Sequence, residues 1–155
     1  MKKTIFLMAM LVTASAFSQK MNSNKKAIIA SVERHEEALT KISDSIWALA
    51  ETAFEEQQSS KILADYAEKN GFIVERGVAG MPTAFVATYG SGSPVISVLG
   101  EFDALPGISQ KAQPTKDPLD EGAAGHGCGH NLFGAASLGS AIAAKELIEQ
   151  GKLKG

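Results

Sequence analysis

The sequence predicts an α/β domain in which two helices precede a group of strands and a third helix follows them. Apolar residues recur at helical spacing over about 24–50 and 57–69, and they alternate or run together between 72 and 100. A glycine-rich segment with two histidines and a cysteine, residues 125–131, follows the strand region. Because ligand sites of α/β sheets gather at the carboxyl ends of strands, these observations predict a site between the sheet and the last helix.

Composition and charge are those of an ordinary globular protein. Hydrophobic residues make up 45% of the 155 positions, charged residues make up 21%, and the formal net charge is -2. A chain of this length corresponds to one domain of typical size and is long enough to bury a hydrophobic core. The slightly acidic balance and the low aromatic content argue against a basic, base-stacking surface, so we expect no nucleic-acid partner.

The N-terminus has the pattern of a secretory signal peptide over residues 1–18. Two lysines precede an apolar stretch that is too short to span a membrane, and small residues follow it. Cleavage after Ala16 or after Ser18 fits the small-residue rule. We therefore expect export to the periplasm or secretion, with no membrane anchor after cleavage; an uncut signal anchor is the alternative.

Two amphipathic helices are predicted in the first half of the mature chain. The first, from about Asn24 to Ala50, carries a row of apolar side chains on one face. These side chains are Ile28, Val32, Leu39, Ile42, Ile46 and Leu49. His35 stands among charged residues, so we expect it to be solvated. The second helix spans about Gln57 to Lys69 and ends at Asn70-Gly71, a left-handed stop signal.

Three strands are predicted after the second helix. Phe72–Val74 and Thr83–Tyr89 are short candidates, and a turn rich in glycine and serine follows the second. Val95–Gly100 is a nearly continuous apolar run, typical of a central strand covered on both faces. Glu101 and Asp103 follow, and their carboxylates share a side if the strand continues. This pair fits either metal ligation or two solvated acids at a strand end.

The glycine-rich segment 125–131 carries the strongest chemical signal. His126, Cys128 and His130 alternate with glycines, so an extended backbone would point all three side chains toward a common point. Imidazole and thiolate are ligands of Zn²⁺ and its first-row neighbours. The segment lacks the lysine and the spacing of a phosphate-binding loop, and a buried structural cysteine beside incidental histidines is the remaining alternative. The residues therefore predict a metal site.

The last predicted helix spans about Leu132 to Gln150, with Asn131 as its N-cap. Small residues fill its first half, which permits close packing on a sheet. Its uncharged run ends at Lys145, too early for a membrane span. The positive end of this helix would lie beside segment 125–131 and would favour a thiolate or a bound hydroxide there.

Two stretches together make the sequence recognisable, Gly100–Gly107 and Gly125–Asn131. With Trp47–Glu51 and Gly77–Phe85, they resemble the aminoacylase/carboxypeptidase family of metal-dependent amidohydrolases over essentially all of the chain after the signal peptide. Within that family, the sequence is most similar to the branch of the p-aminobenzoyl-glutamate hydrolases. The resemblance implies that residues 19–155 form the N-terminal part of a three-layer α/β/α, zinc-peptidase-like catalytic domain.

The resemblance also implies roles for individual residues. In family members with a His-x-Cys-Gly-His segment, the cysteine and the second histidine bind the metals, and these positions match Cys128 and His130. An aspartate that supports the site without binding the metal matches Asp103. His126 matches a position whose usual role is not ligation, so its ligand role follows from spacing alone. Glu101 stands where relatives carry His or Asp, and it is a further candidate for a catalytic or ligand role.

The resemblance implies a divalent metal cofactor, zinc or manganese, with two ions in a complete site. It implies a small-molecule amide substrate, such as an N-acyl amino acid, an aminobenzoyl-glutamate-like conjugate or a dipeptide, and a homodimeric or hetero-oligomeric full-length protein. Glu146 follows His130 by sixteen residues, or about 24 Å along a helix, so we expect the general base and the remaining ligands beyond Gly155. The chain would then be a fragment that is inactive alone; the alternative is a non-catalytic metal-binding or degenerate fragment.

Overall fold

The computed structural model describes residues 21–155, so the expected signal peptide, residues 1–18, lies outside the described part. Each helix begins and ends within two residues of its predicted bounds. The helices are α1 (Ser23–Leu49), α2 (Gln57–Lys69) and α3 (His130–Glu149). Over residues 21–155, no helix combines the length and the apolarity that crossing a bilayer requires.

The sheet of the described residues is a two-stranded antiparallel hairpin. It consists of β1 (Ile73–Arg76) and β2 (Phe85–Thr88), with a short 3₁₀ turn at Val78–Gly80 between them. Ile73 lies opposite Thr88, and Arg76 lies opposite Phe85. The first two predicted strands are therefore present with slightly shifted bounds, and together with α1–α3 they form part of an α/β domain, as the sequence predicted.

The third predicted strand, Val95–Gly100, is not part of a sheet within residues 21–155. Val95, Ile96 and Leu99 are 90%, 70% and 72% exposed. A central strand needs hydrogen-bonded neighbours at its edges and cover on both faces, and the described part of the chain supplies neither. The prediction is wrong for these residues because apolar composition does not by itself provide strand partners.

The core lies where the three helices and one face of the hairpin meet. Ile46, Leu63 and Ile142, one from each helix, are at most 2% exposed. The hairpin contributes partly buried apolar side chains, namely Val74, Phe85 and Ala87. Helix α3 approaches its neighbours closely through glycines: a Cβ at Gly134 would lie 3.0 Å from the backbone oxygen of Glu101. The small residues of α3 therefore allow the backbone at Glu101 to pack closely on this helix.

His35 is not the solvated side chain that its charged neighbours predict. Its Nδ1 lies 2.8 Å from the hydroxyl of Tyr66, and its Nε2 lies 3.2 Å from a carboxylate oxygen of Glu146. The side chain is only 18% exposed, and Arg34 pairs with the same glutamate. The prediction is wrong because α2 and α3 both cover this part of α1, which the local sequence pattern does not indicate.

Candidate metal centre

The candidate site begins where the chain enters the core after the exposed segment 95–100. The amide of Ala104 donates to the backbone oxygen of Glu51 at 2.7 Å, and Ala104 is 1% exposed. Leu105 and Gly125 exchange two backbone hydrogen bonds of 2.9 and 3.0 Å. These pairings hold the stretch that carries the two candidate carboxylates directly beside the glycine-rich segment.

Two glycines of segment 125–131 pack closely on residue 108, and the backbone contact at Gly125 leaves no room for a side chain. A Cβ at Gly125 would lie 2.4 Å from the backbone oxygen of Ile108, which is closer than real Cβ atoms approach. A Cβ at Gly127 would lie 2.5 Å from the Cδ1 atom of Ile108. The alternation of glycines therefore reflects tight packing against residue 108 as well as backbone freedom.

Helix α3 begins directly at the end of this segment. Gly129, with φ of 75°, is its N-cap, and His130 is its first residue. Asn131, which the sequence predicts as the N-cap, lies inside the helix, is 6% exposed and donates through Nδ2 to Ser43 Oγ at 3.0 Å. The N-cap prediction is wrong because glycine adopts the left-handed conformation that starts the helix earlier.

Three side chains converge at the start of α3. The Nδ1 atom of His130 lies 2.8 Å from Asp103 Oδ1, and its Nε2 atom lies 3.1 Å from Glu101 Oε2. One candidate ligand atom from each of the three residues lies within 4.8 Å of the other two. His130 and Asp103 are 20% and 23% exposed, whereas Glu101 is half exposed. This group can hold a metal ion.

The two nitrogens of His130 have different functions in such a group. Asp103 fixes the ring through Nδ1, which is the arrangement that orients metal-binding histidines in proteins. Nε2 is left facing the carboxylate of Glu101, so an imidazole nitrogen and a carboxylate oxygen meet at one point. This donor set fits zinc or manganese, because imidazole suits zinc and carboxylate suits manganese.

The side chains of His126, Cys128 and His130 do not face a common point. His126 Nε2 lies 3.1 Å from the backbone oxygen of Ile46, and Cys128 is exposed and lies outside the group around His130. The expectation of a shared direction is wrong because the backbone is not extended here: residues 127 and 128 form a turn, which the hydrogen bond from the Gly129 amide to the His126 oxygen closes, and Gly129 is left-handed. Ligand roles for Cys128 and His126 stay predictions.

Burial disfavours the charged form of His126. Burial lowers the pKa of His126 below its ordinary value, the hydrogen bond with Ile46 opposes that shift, and nearby His130 adds to it. Its Nδ1 atom is buried and has no hydrogen-bond partner among residues 21–155. A neutral imidazole with one committed nitrogen therefore lies next to the candidate ligands.

Glu51 caps the start of helix α2 with its side chain, a role that the sequence did not indicate. Its carboxylate accepts hydrogen bonds from the amide of Gln58 at 3.0 Å, and from the amide and hydroxyl of Ser59 at 2.8 and 2.7 Å. It thereby caps α2, whose own N-cap residue, Glu56, makes no side-chain cap bond. Burial raises the pKa of Glu51, but these hydrogen bonds together hold it below its ordinary value. Glu51 links α2 to the site, since its backbone oxygen binds Ala104.

Two cavities lie along helix α1, and neither is lined by Glu101, Asp103 or His130. The larger, of about 340 Å³, is lined by residues that include Trp47, Ser109, Leu119 and Gly125. The smaller, of about 230 Å³, lies between α1 and α2. The larger cavity therefore adjoins segment 125–131 at Gly125, whereas the smaller is not lined by that segment.

Comparison with known proteins identifies relatives with similar sequences. No family model matches it. It is 48% identical over 122 residues to a p-aminobenzoyl-glutamate hydrolase subunit of Escherichia coli (strain K12), a match that covers 77% of this chain and 25% of the relative. Xaa-Arg dipeptidase of Homo sapiens is 28% identical over 131 residues, and that of Mus musculus is 27% identical over 135 residues.

The dipeptidase matches cover 76% and 81% of this chain and 26% and 28% of the two dipeptidases. The chain thus spans about a quarter of the length of the curated relatives it matches. Nearly half of the aligned residues are identical to those of the bacterial hydrolase, and the alignment covers most of the chain. The chain therefore belongs to the amidohydrolase and peptidase family that includes these relatives, as its motifs predicted.

Proposed function

We propose that this chain supplies part of the active site of a metal-dependent amidohydrolase. The arrangement of Asp103, His130 and Glu101 carries the proposal, because it presents an oriented imidazole nitrogen and a carboxylate oxygen at one point. The relatives support the reaction class: one is named as a hydrolase of p-aminobenzoyl-glutamate and two are named as dipeptidases. Both names describe the hydrolysis of an amide bond.

In this proposal each residue has a separate role. His130 holds a zinc or manganese ion through Nε2, and Cys128 and Glu101 are the further candidate ligands. Asp103 keeps the His130 ring in place through Nδ1. A metal bound there polarises the amide carbonyl and lowers the pKa of a bound water. Two ions in the complete site are part of the proposal.

The substrate that we propose is a small amide: an N-acyl amino acid, an aminobenzoyl-glutamate-like conjugate or a dipeptide. Leu132 and Phe133, in the first turn of α3, are 64% and 41% exposed. The ring centroids of Phe133 and His130 are 6.5 Å apart. These apolar side chains offer a surface for the acyl or aryl part of a substrate beside the metal ligands.

We also propose that the 155-residue chain does not hydrolyse amides by itself. Glu101 and Asp103 both face His130, and Glu146 pairs with Arg34 near the opposite end of α3. A general base must be within hydrogen-bond reach of the attacking water, and the two acids beside His130 are both engaged with its ring nitrogens. Catalytic zinc sites also take three protein ligands and a water.

Export and assembly belong to the proposal as well. The leader pattern of residues 1–18 supports cleavage and export to the periplasm or the medium. A homodimer or a hetero-oligomer is the proposed state of the full-length protein, and the bacterial relative, which is named as a subunit, supports an assembly.

Metal content and turnover test the proposal together. Zinc and manganese binding is measured for the chain, for His130→Ala and for His35→Gln, a control that changes a histidine outside the site. We expect His130→Ala to lose metal and the control to keep it. Turnover of p-aminobenzoyl-glutamate is then measured with the bacterial relative as the positive control. Absence of metal from the unchanged chain would refute the site, and turnover by the chain itself would refute its inactivity.

A further inference from the structure

Segment 125–131 is attached to helix α1 at two points. His126 Nε2 lies 3.1 Å from the backbone oxygen of Ile46, and Asn131 Nδ2 lies 3.0 Å from Ser43 Oγ and 3.4 Å from the Ser43 backbone oxygen. Positions three apart on a helix lie on one face, so both contacts use the same face of α1. Ser43, Ile46 and Asn131 are 5%, 0% and 6% exposed, so water does not compete for these bonds.

The contact with α1 determines the tautomer of His126. A backbone carbonyl only accepts hydrogen bonds, so Nε2 of His126 must carry the proton. The same oxygen of Ile46 also accepts from the amide of Ala50 at 3.1 Å, so both of its lone pairs are used. Only Nδ1 of His126 is then left for a metal, and it lies buried outside the group formed by the three converging ligand candidates.

The opposite side of the segment is held by other parts of the chain. Gly125 is bonded on both its amide and its oxygen to Leu105, and Gly127 packs on Ile108. A segment with alternating glycines loses much backbone entropy when it becomes ordered, so it needs such contacts to keep one conformation. Ligands that are held in place before the metal arrives bind it more tightly.

We infer that His126 and Asn131 are positioning residues, which fasten segment 125–131 to α1 so that Cys128 and His130 meet the metal from a fixed backbone, and that His126 is not itself a ligand. The effect on metal binding rests on the proposed function of the site. The anchoring itself is a property of the metal-free chain and is measured without metal.

Amide hydrogen exchange of the metal-free chain tests the anchoring. The amide of Gly129 donates to the His126 backbone oxygen at 3.0 Å and reports on the segment. We expect His126→Ala to speed its exchange at least about tenfold, and His126→Gln to restore protection because glutamine also carries an N–H donor. Glu149→Gln, at the far end of α3, is the matched control and leaves the exchange unchanged.

Ser43→Ala is the second variant, and it is used if His126→Ala does not fold. If His126→Ala loses the protection of its helices, and so fails to fold, Ser43→Ala is measured instead, because it removes the hydroxyl that accepts the shorter of the two Asn131 hydrogen bonds without changing the segment. Faster exchange at residues 127–130 in Ser43→Ala then supports the anchoring. Unchanged exchange in a folded His126→Ala, or in Ser43→Ala where that variant replaces it, overturns the inference.

Cobalt(II) binding separates a positioning role from a ligand role. We expect His126→Gln to keep the visible ligand-field spectrum and the affinity of the unchanged chain. We expect His126→Ala to keep the spectrum but to lose about tenfold in affinity, the lower range for residues that orient ligands. A changed spectrum in both variants would show that His126 is a ligand. If the unchanged chain binds no cobalt, the proposed function fails, and the exchange measurement still decides the anchoring.

Discussion

At the scale of single residues, one short segment gives two histidines different chemistry. His130 begins α3 with carboxylates at both ring nitrogens, whereas the Nε2 atom of His126 contacts a backbone oxygen. The two side chains are four positions apart in sequence. Their difference comes from their neighbours in space: Asp103 on one side of the segment and the end of α1 on the other.

Asp103 should control the affinity of the site without binding the metal. We predict that Asp103→Asn lowers zinc affinity by about 10- to 100-fold, because a neutral amide orients the His130 ring less firmly and leaves Nε2 less basic. Competition titration with a zinc chelator measures the change. Asp117→Asn is the control, since this acid pairs with Lys111 on the surface. Equal affinities of the two variants would contradict the supporting role of Asp103.

Glu51 should make the stability of the chain depend on pH. Its pKa is lowered in the folded chain, so its contribution is complete above the unfolded value of about 4.3 and is lost as the pH falls through the folded pKa. We predict that Glu51→Gln lowers the free energy of unfolding by about 1 kcal/mol at neutral pH, the usual value for a lost helix cap.

Urea unfolding at pH 7 and at pH 3 measures this effect. The difference between Glu51→Gln and the unchanged chain should shrink at the lower pH, because protonation of the carboxyl group in the unfolded chain then favours unfolding of the unchanged chain. Glu55→Gln, an exposed neighbour, is the control and should differ little at either pH. A pH-independent difference for Glu51→Gln would contradict the assigned role of the carboxylate.

At the scale of elements, the glycines of α3 determine how closely the backbone around Glu101 approaches this helix. A Cβ at Gly134 meets the backbone oxygen of Glu101 at 3.0 Å, whereas a Cβ at Gly139 meets only the end of the Leu39 side chain. We predict that Gly134→Ala destabilises the chain by about 1–3 kcal/mol, the usual cost of overpacking. Gly139→Ala should cost less, because the end of the Leu39 side chain can move whereas the backbone at Glu101 cannot.

Thermal unfolding of the two alanine variants makes the comparison direct. Both substitutions add one methyl group to the same helix, so helix propensity is matched between them. Equal melting temperatures would contradict a special role for the contact of Gly134 with Glu101. In that case the small residues of α3 would not set the position of the candidate ligands.

The exposed segment 95–99 should govern how the 155-residue chain associates. It is apolar and, within residues 21–155, has no strand partner, which is typical of segments that pair with other chains. We predict that the chain self-associates and that Ile96→Lys reduces this. Ile73→Lys is the control, because Ile73 is 81% exposed but lies in the paired strand β1. Sedimentation velocity measures the effect, and equal association of the two variants would contradict it.

At the scale of the whole molecule, a polar cluster joins the three helices. His35 of α1 contacts Tyr66 of α2 and Glu146 of α3, and Arg34 pairs with the same glutamate. We predict that Glu146→Gln lowers the free energy of unfolding by about 1–3 kcal/mol, because it leaves the partly buried His35 and the more exposed Arg34 without a charged acceptor. Urea unfolding measures the change, and Glu149→Gln should lose much less, because the carboxylate of Glu149 is more exposed than that of Glu146.

The sequence by itself determined the helices and the residues of the candidate site. The bounds of α1 and α2 follow from the period of their apolar residues and from stop signals such as Gly71, whose φ is 83°. These signals are local, so they can be interpreted without knowledge of the fold. The motifs around residues 100–107 and 125–131 likewise identified the family, because they concern residue types and spacing.

Only the tertiary structure decided what each side chain contacts. The pairing of His35 with Tyr66 and Glu146, the contact of Asn131 with Ser43, and the separate directions of His126 and His130 all depend on which elements pack together. The exposure of segment 95–99 is of the same kind, since a strand requires partners that lie far away in sequence. Local patterns report periodicity and backbone preference, whereas hydrogen-bond partners are fixed by packing between distant parts of the chain.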